Sequence, residues 1–268
     1  MTVIQAIILG IVQGLTEFIP VSSSGHLILF HQWLGVNETA QASFLFDMAL
    51  NIGTLSALLI YFRKEIFVLA KAVFNKQAKQ YKLAWLLIMA TVPAAIFGYL
   101  LKDSAESTFR SSSLVATMLI IMGFVMLFSE RYAKHLKNKS DLESVTNKQA
   151  LAIGLAQAMA IIPGVSRSGA TITTGLFAGM DRVAATRFSF LLGIPIMFGA
   201  IADTLLTKSA LGTINSQTTL FFVGIASAFV SGIIAIKFLL KFLARHTLDI
   251  FAYYRILLGV AILIIAMT

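Results

Sequence analysis

The chain contains no cysteine, which excludes disulfides, thiolate metal sites and cysteine nucleophiles. Charge is also scarce. Asp, Glu, Lys and Arg make up 12% of the 268 residues, against about 25% in soluble domains, and only 12 residues are acidic. Long apolar runs stand in their place. Hydrophobic residues account for 58% of the chain and the mean hydropathy is +0.86, where soluble domains run about 45–50% apolar. No aqueous fold hides that much apolar surface, so the composition specifies an integral membrane protein. Its length leaves room for one membrane domain and no separate soluble one. The first run, Val3–Ile19, lacks a basic leading segment and carries Glu17, so it is expected to belong to the mature fold rather than to a signal peptide.

The net charge of +9 raises the question of nucleic acid, and its distribution answers it. Apolar runs long enough to span a bilayer, about 17–25 residues, fall near 44–62, 83–101, 113–129, 188–206, 218–236 and 251–267. The segments 63–82, 131–148, 181–187 and 237–250 together carry sixteen Lys or Arg, whereas 102–112 and 207–217 carry only Lys102, Arg110 and Lys208. This is the positive-inside asymmetry, and it puts the basic set in the cytoplasm. The basic charge is an orientation signal, and no nucleic-acid partner is expected. The clusters Lys76–Lys82 and Arg131–Lys139 read as cytoplasmic surface charge near lipid headgroups.

The sequence is also written twice. A shift of 144 positions places Gln5, Ala6, Gly10, Gln13, Val21, Ser22, Ser24 and Gly25 on Gln149, Ala150, Gly154, Gln157, Val165, Ser166, Ser168 and Gly169. Ala40, Phe44, Phe46 and Ile52 then fall on Ala184, Phe188, Phe190 and Ile196 without a gap. Two apolar stretches are interrupted: Val3–Ile19 continues as Leu27–Leu34, and Ala150–Ile162 as Ile172–Met180. Each second arm is too short to cross about 30 Å of hydrocarbon at 1.5 Å per residue. Both pairs read as re-entrant helical hairpins, tolerated at membrane depth only inside protein or along a cavity. The expected fold is therefore all-α and polytopic: an inverted-topology repeat of two halves, each a re-entrant hairpin plus three transmembrane helices. Repeat one spans about 1–130, a cytoplasmic linker about 131–148 and repeat two about 149–268. The hairpin tips should meet inside the bilayer, where such repeats place ligand sites.

The first tip runs from Gln13 to His26. Gln13 and Glu17 are four apart and share a helix face, Pro20 ends the helix, and Ser22, Ser23 and Ser24 follow. An intramembrane carboxylate is costly and functional by default; the plainer reading of Glu17 is a structural ion pair, and of His26 a satisfied buried imidazole. The second tip, Pro163-Gly164-Val165-Ser166-Arg167-Ser168-Gly169-Ala170-Thr171, describes an oxyanion cradle. It combines hydroxyls of Ser166, Ser168 and Thr171, helix N–H groups and a guanidinium that can grip two phosphate oxygens. A snorkelling or ion-paired Arg167 is the alternative. Between the copies the frame matches, yet Glu17 falls on Ile161, Ser23 on Arg167 and His26 on Ala170. Such a division into one half with nucleophile, base and acid and another that is only cationic suits phosphate chemistry. Asp47 and Asp203, near span ends, read as solvated or helix-pairing, and Phe44 and Phe46 as packing aromatics.

At these residues the chain resembles the undecaprenyl-diphosphate phosphatase family of bacterial membrane enzymes associated with bacitracin resistance. The family's Glu/Gln-x-x-x-Glu signature is met by Gln13 and Glu17. Its Pro-Gly-x-Ser-Arg-Ser-x-x-Thr signature is met by Pro163, Gly164, Ser166, Arg167, Ser168 and Thr171. The serine loop ending in Gly25 and His26 also fits, and the likeness covers essentially the whole chain. Many members carry Glu where this chain has Gln13, which leaves one carboxylate for a metal instead of two. The resemblance implies hydrolysis of undecaprenyl diphosphate to the lipid carrier phosphate used in cell-wall synthesis, bacitracin resistance, and a divalent cation, Mg²⁺ or Ca²⁺, taken by Glu17. It also implies a multi-pass protein of the bacterial cytoplasmic (inner) membrane, its active site open to the periplasmic side, its substrate a polyprenyl diphosphate lipid; a homodimer is an expected assembly.

Arg167, Ser166, Ser168 and Thr171 would then hold phosphate beside Gln13, Ser22 and Ser24. Ser23 activated by His26 is the favoured nucleophile, with a phosphohistidine at His26 or an activated water as the alternatives. A secondary transporter or lipid-phosphate flippase with the same inverted-repeat cavity is the rival function, and a membrane scaffold or channel the remaining one.

Overall fold

Two short capping sequences start the two hairpins. The Thr2 hydroxyl accepts from the Gln5 N–H while the Gln5 side chain accepts from the Thr2 N–H, and Thr146 and Gln149 repeat the exchange. Each reciprocal cap satisfies N–H groups that a helix start leaves open. The remaining amide of each glutamine reaches the far end of its own hairpin: Gln5 Nε2 donates to the Leu34 carbonyl and Gln149 Nε2 to the Ala178 carbonyl, both at 2.8 Å. The start of the first arm is thereby fastened to the end of the second, and the pair closes.

A computed structural model describes residues 1–101, 111–136, 139–205, 214 and 217–267. Among them the helices are α1 (Val3–Phe18), α2 (Ser23–Trp33), α3 (Ala40–Tyr61), α4 (Arg63–Val73), α5 (Tyr81–Leu100), α6 (Ser112–Lys134), α7 (Asn147–Met159), α8 (Arg167–Phe177), α9 (Arg182–Leu205), α10 (Thr218–Leu243) and α11 (Asp249–Met267). The described residues form no strand beyond a single bridge between Ser140 and Met180. Helices α3, α5, α6, α9 and α10 are long and apolar enough to cross a membrane, and α11 matches them with 19 residues. The protein is thus an all-α polytopic membrane protein. The sparsely charged positions Lys102, Arg110 and Lys208 lie outside the described residues.

Two details differ from the sequence reading. The short arms begin at Ser23 and Arg167 rather than at Leu27 and Ile172, because Ser22 and Ser166 take positive φ of 74° and 72° and turn the chain directly into a helix. The tip residues therefore form the first helical turn, with their N–H groups facing outward. Each arm has 11 residues, about 16 Å at 1.5 Å per residue. In addition, residues 63–73 of the expected charged loop form α4, whose Phe67 and Val68 are exposed beside Arg63, Lys64 and Lys71.

Helix α1 packs along α10 and α7 along α5, while α6 faces α11 and α3 faces both α9 and α10. Close approach comes from small residues, as membrane helix pairs require. A Cβ on Gly14 would fall on Ser231 Oγ and the Ala228 carbonyl and 2.7 Å from the Gly232 nitrogen. Phe18 and Phe62 meet Phe190 edge-on, with ring centres 5.3 and 6.3 Å apart, and Phe46 meets Phe221 at 5.3 Å. Phe46, Phe188 and Phe190 are packing aromatics, fully buried, whereas Phe44 lies on a cavity wall. At one end of the bundle Glu130, buried, accepts from the Arg182 guanidinium at 2.6 Å and from the Leu248 N–H at 2.9 Å, joining α6, α9 and the turn before α11. Gly14→Ala is expected to lower stability by about 1–3 kcal/mol, the cost of overpacking. Gly98→Ala, with nothing within 4 Å, is neutral or stabilising; thermal unfolding in detergent compares them.

Candidate active site

Helix α1 stops at Phe18 because Ile19 precedes a proline, which pushes it into extended backbone (φ −65°, ψ 133°). The chain turns through Pro20, Val21 and Ser22 and enters α2. In the second hairpin, Gly164 at φ 91° and Ser166 at φ 72° turn the chain into α8. Matching serine pairs mark the equivalence: Ser22 Oγ lies 3.2 Å from Ser24 Oγ, and Ser166 Oγ 3.2 Å from Ser168 Oγ. Two helix N-termini are thus placed within one site, each presenting N–H groups and a partial positive charge.

The side chains of the two hairpins meet at Glu17. Its Oε1 accepts from Arg167 Nη2 at 2.9 Å, and its Oε2 accepts from Ser23 Oγ at 2.6 Å and from Gln13 Nε2 at 3.1 Å. Gln13 Nε2 also donates to Asn51 Oδ1 at 3.1 Å, and Asn51 Nδ2 donates to the Asp47 carbonyl at 3.1 Å. The ion pair is mostly buried, with Arg167 and Glu17 side chains 14% and 12% exposed. One N–H₂ group of Arg167, Nη1, is buried without a partner. Arg167 reaches this position because residue 193 is glycine: a Cβ there would fall on Arg167 Nη1.

A cavity of about 230 Å³ opens over this cluster, lined by Glu17, Ser22, Ser23, Ser24, Asn51, Ser166 and Arg167 with Met48, Ile196 and Met197. A second lobe of about 210 Å³ shares Glu17, Ser23, Ser24 and Asn51 and adds Gln13, Phe44, Asp47 and Pro163. The structure therefore brings Glu17, Ser22, Ser23, Ser24, Gln13, Ser166 and Arg167 together around one hollow.

It does not bring Ser23 and His26 together, which corrects the expected hydroxyl–imidazole pair. His26 Nδ1 lies 2.8 Å from the Ser22 carbonyl and Nε2 lies 2.7 Å from the Tyr254 hydroxyl. A carbonyl only accepts, so Nδ1 carries the hydrogen and Nε2 accepts from Tyr254. Both ring nitrogens are thus committed to partners other than Ser23, whose hydroxyl donates to Glu17. Two cradle hydroxyls are likewise committed elsewhere. Ser168 donates towards the Glu17 and Ile19 carbonyls at 3.3 and 3.5 Å. Thr171, fully buried, bonds the Arg167 carbonyl at 2.7 Å and Ser189 Oγ at 2.5 Å. These two fasten the second tip to the first tip and to α9. Ser166 lines the cavity, and its hydroxyl caps α8 by accepting from the Gly169 N–H.

Asp47 pairs with His31 at 2.8 Å, joining α3 to α2, as a helix-pairing residue should; Asp203 is exposed near the end of α9. Sequence reasoning passed over Asn51, Tyr254, Arg255 and Gly193. An arginine inside the apolar run 251–267 was the available signal; the other three are visible only in the fold. The oxygen-bearing groups lining the two lobes, the Glu17 and Asp47 carboxylates with amides and hydroxyls, are of the kind that suit a hard divalent cation taking its remaining ligands from phosphate and water. No cluster of three His, Asp or Glu occurs among the described residues. The arrangement presents a hydroxyl on a carboxylate opposite a guanidinium, the parts needed to attack and hold an anionic phosphoryl group.

The chain matches the model of the bacitracin resistance protein BacA family over residues 6–261. An undecaprenyl-diphosphatase of Desulforudis audaxviator is 44% identical over 264 residues, 98% of this chain and 97% of that one. One of Caldicellulosiruptor bescii is 42% identical over 265 residues, with 98% and 97% covered. One of Pelotomaculum thermopropionicum is 41% identical over 267 residues, with 99% and 97% covered.

Breaking the Glu17–Arg167 pair from one side strands a buried charge, which costs about 3–5 kcal/mol. Glu17→Gln should lower the unfolding temperature accordingly, and Glu17→Gln with Arg167→Met should cost less than the two single changes added together. A double-mutant cycle by thermal unfolding reads the coupling.

Proposed function

The chain belongs to the bacitracin resistance protein BacA family, and on that premise we infer that it is an undecaprenyl-diphosphatase, releasing inorganic phosphate from undecaprenyl diphosphate and leaving undecaprenyl phosphate. The reaction recycles the lipid carrier for cell-wall synthesis. The observation that carries the reading is the single carboxylate of Glu17 touching both the Ser23 hydroxyl and the Arg167 guanidinium at the edge of a cavity.

The polyprenyl tail stays in lipid while the diphosphate enters between the hairpin tips. Arg167 and the N-terminal N–H groups of α2 and α8 receive the phosphate oxygens. Ser23 Oγ forms a bond to the terminal phosphorus as its proton passes to Glu17 Oε2. The bond from that phosphorus to the bridging oxygen breaks, and undecaprenyl phosphate leaves with the electron pair. Water then displaces Ser23 from the phosphorus, Glu17 returns the proton to the serine oxygen, and inorganic phosphate departs. Arg167 stabilises the charge of both transition states. His26 acts by position: it holds the Ser22 carbonyl and so the turn from which Ser23 projects. Gln13 and Asn51 orient Glu17. Glu17 with the Asn51 amide oxygen would hold Mg²⁺ or Ca²⁺, which when bound supplies charge neutralisation for the diphosphate.

The same reading places the chain in the bacterial cytoplasmic membrane, the sixteen Lys and Arg of segments 63–82, 131–148, 181–187 and 237–250 inside and the cavity open to the outer side. The matched caps, turns and serine pairs support two halves of one inverted frame.

Phosphate release from undecaprenyl diphosphate in detergent tests it. Wild type should release phosphate and lose activity on chelation. Arg167→Ala should lower turnover about 10²–10³-fold, the usual cost of losing an oxyanion donor, and Ser23→Ala should fall at least as far. Near-normal turnover in Ser23→Ala would make water the nucleophile.

A further inference from the structure

Arg255, on α11, is the largest fully buried side chain among the described residues, and neither the ion pair nor the cavity wall uses it. Its guanidinium lies between the two turns. Nη1 donates to the Pro20 carbonyl of the first at 3.2 Å; Nη2 donates to the Gly164 and Val165 carbonyls of the second at 2.6 and 2.9 Å. Nε is buried without a partner. Among the described residues no carboxylate pairs with it. Room for the guanidinium exists because residue 169 is glycine: a Cβ there would lie 2.7 Å from Nη1.

A buried charge is normally neutralised by an opposite one. Here the Glu17 carboxylate is already paired with Arg167, so the two turns carry one positive charge in excess beside two helix N-termini. An anion in the cavity supplies what is missing. We propose that Arg255 is a positioning residue that holds the two turns, and with them Ser23 and Arg167, at reacting distance, and that its uncompensated charge makes the diphosphate the counterion of the site. The carbonyls it grips belong to the residues just before the Ser22 and Ser166 turns, so a shift of the guanidinium moves both helix starts together. This inference rests on the phosphatase reading.

The test compares wild type, Arg255→Lys, Arg255→Met and Gly169→Ala, purified in detergent. It measures kcat and KM for undecaprenyl diphosphate, and the rise in unfolding temperature on adding inorganic phosphate. Arg255→Lys keeps the charge but not the three-carbonyl fork: its phosphate-induced rise should persist while kcat falls about 100-fold, the usual penalty for misplacing reacting groups by an ångström. Arg255→Met should lose both, and Gly169→Ala, which pushes the guanidinium off its carbonyls, should behave as Arg255→Lys. A folded Arg255→Met with kcat and phosphate-induced rise within twofold of wild type overturns the proposal. Should Arg255→Met not fold, unchanged kcat in both Arg255→Lys and Gly169→Ala overturns it equally. Absence of phosphate release by wild type would count against the phosphatase reading instead, and the phosphate-induced rise would still decide the role of Arg255.

Discussion

A carboxylate and a guanidinium from opposite hairpins share a hydrogen bond inside an apolar protein, and the rest of the structure serves to make that contact tolerable. Either charge alone would be expensive at this depth. Together they still need their remaining donors and acceptors satisfied, and the surroundings supply most of them. Ser23 and Gln13 donate to Glu17, Asn51 fixes the Gln13 amide, and Ser168 ties the backbone of one tip to the other. One guanidinium N–H₂ of Arg167 stays unpartnered, packed against Gly193. Stability alone does not account for such a cluster, since an apolar pair of equal volume would cost less to bury.

The positions that match between the two hairpins and those that differ divide the work of the site. Positions that match between the copies do mechanical work: the threonine–glutamine caps, the glutamine amides that close each hairpin, the positive-φ serines and the paired hydroxyls. Positions that differ carry the chemistry. Gln13 and Gln157 make the point sharply. Both are buried, but Gln13 bonds Glu17 and Asn51 while both polar atoms of the Gln157 amide lack a partner. At the positions matching Glu17 and Asn51 the second copy has Ile161 and Pro195, so the frame residue persists there after its partners have gone. Leaving a buried amide unpaired costs about 1–3 kcal/mol, a penalty that the second copy bears in keeping only the cationic half of the site.

The hairpins, their tips and the meeting of Glu17 with Arg167 were legible because polar residues in apolar runs are few and their spacing is regular. What was not legible was the direction of individual side chains. Three residues separate Ser23 from His26, which permits contact across a loop; once Ser22 takes positive φ the helix starts at once, and His26 folds back on the carbonyl four residues before it. Thr171 does the same towards Arg167, as hydroxyls in apolar helices tend to. Asn51, Tyr254 and Arg255 reach the site over long sequence separations that local pattern does not encode, although an arginine in the last apolar run was itself a signal of buried function.

The direction of the hydrogen bonds gives the last step. Every bond that reaches Glu17 is donated to it, by an amide, a hydroxyl and a guanidinium, so its carboxylate is held by three partners of unequal grip. The hydroxyl is closest at 2.6 Å, the guanidinium follows at 2.9 Å and the Gln13 amide is longest at 3.1 Å. A second carboxylate at position 13 would offer an acceptor where this chain offers a donor, and would need a cation between the two. With glutamine there, the network closes without one. The amide, neutral and longest, is the weakest of the three grips. Gln13 therefore leaves the Ser23 hydroxyl and the Arg167 guanidinium as the two short-range partners of the Glu17 carboxylate.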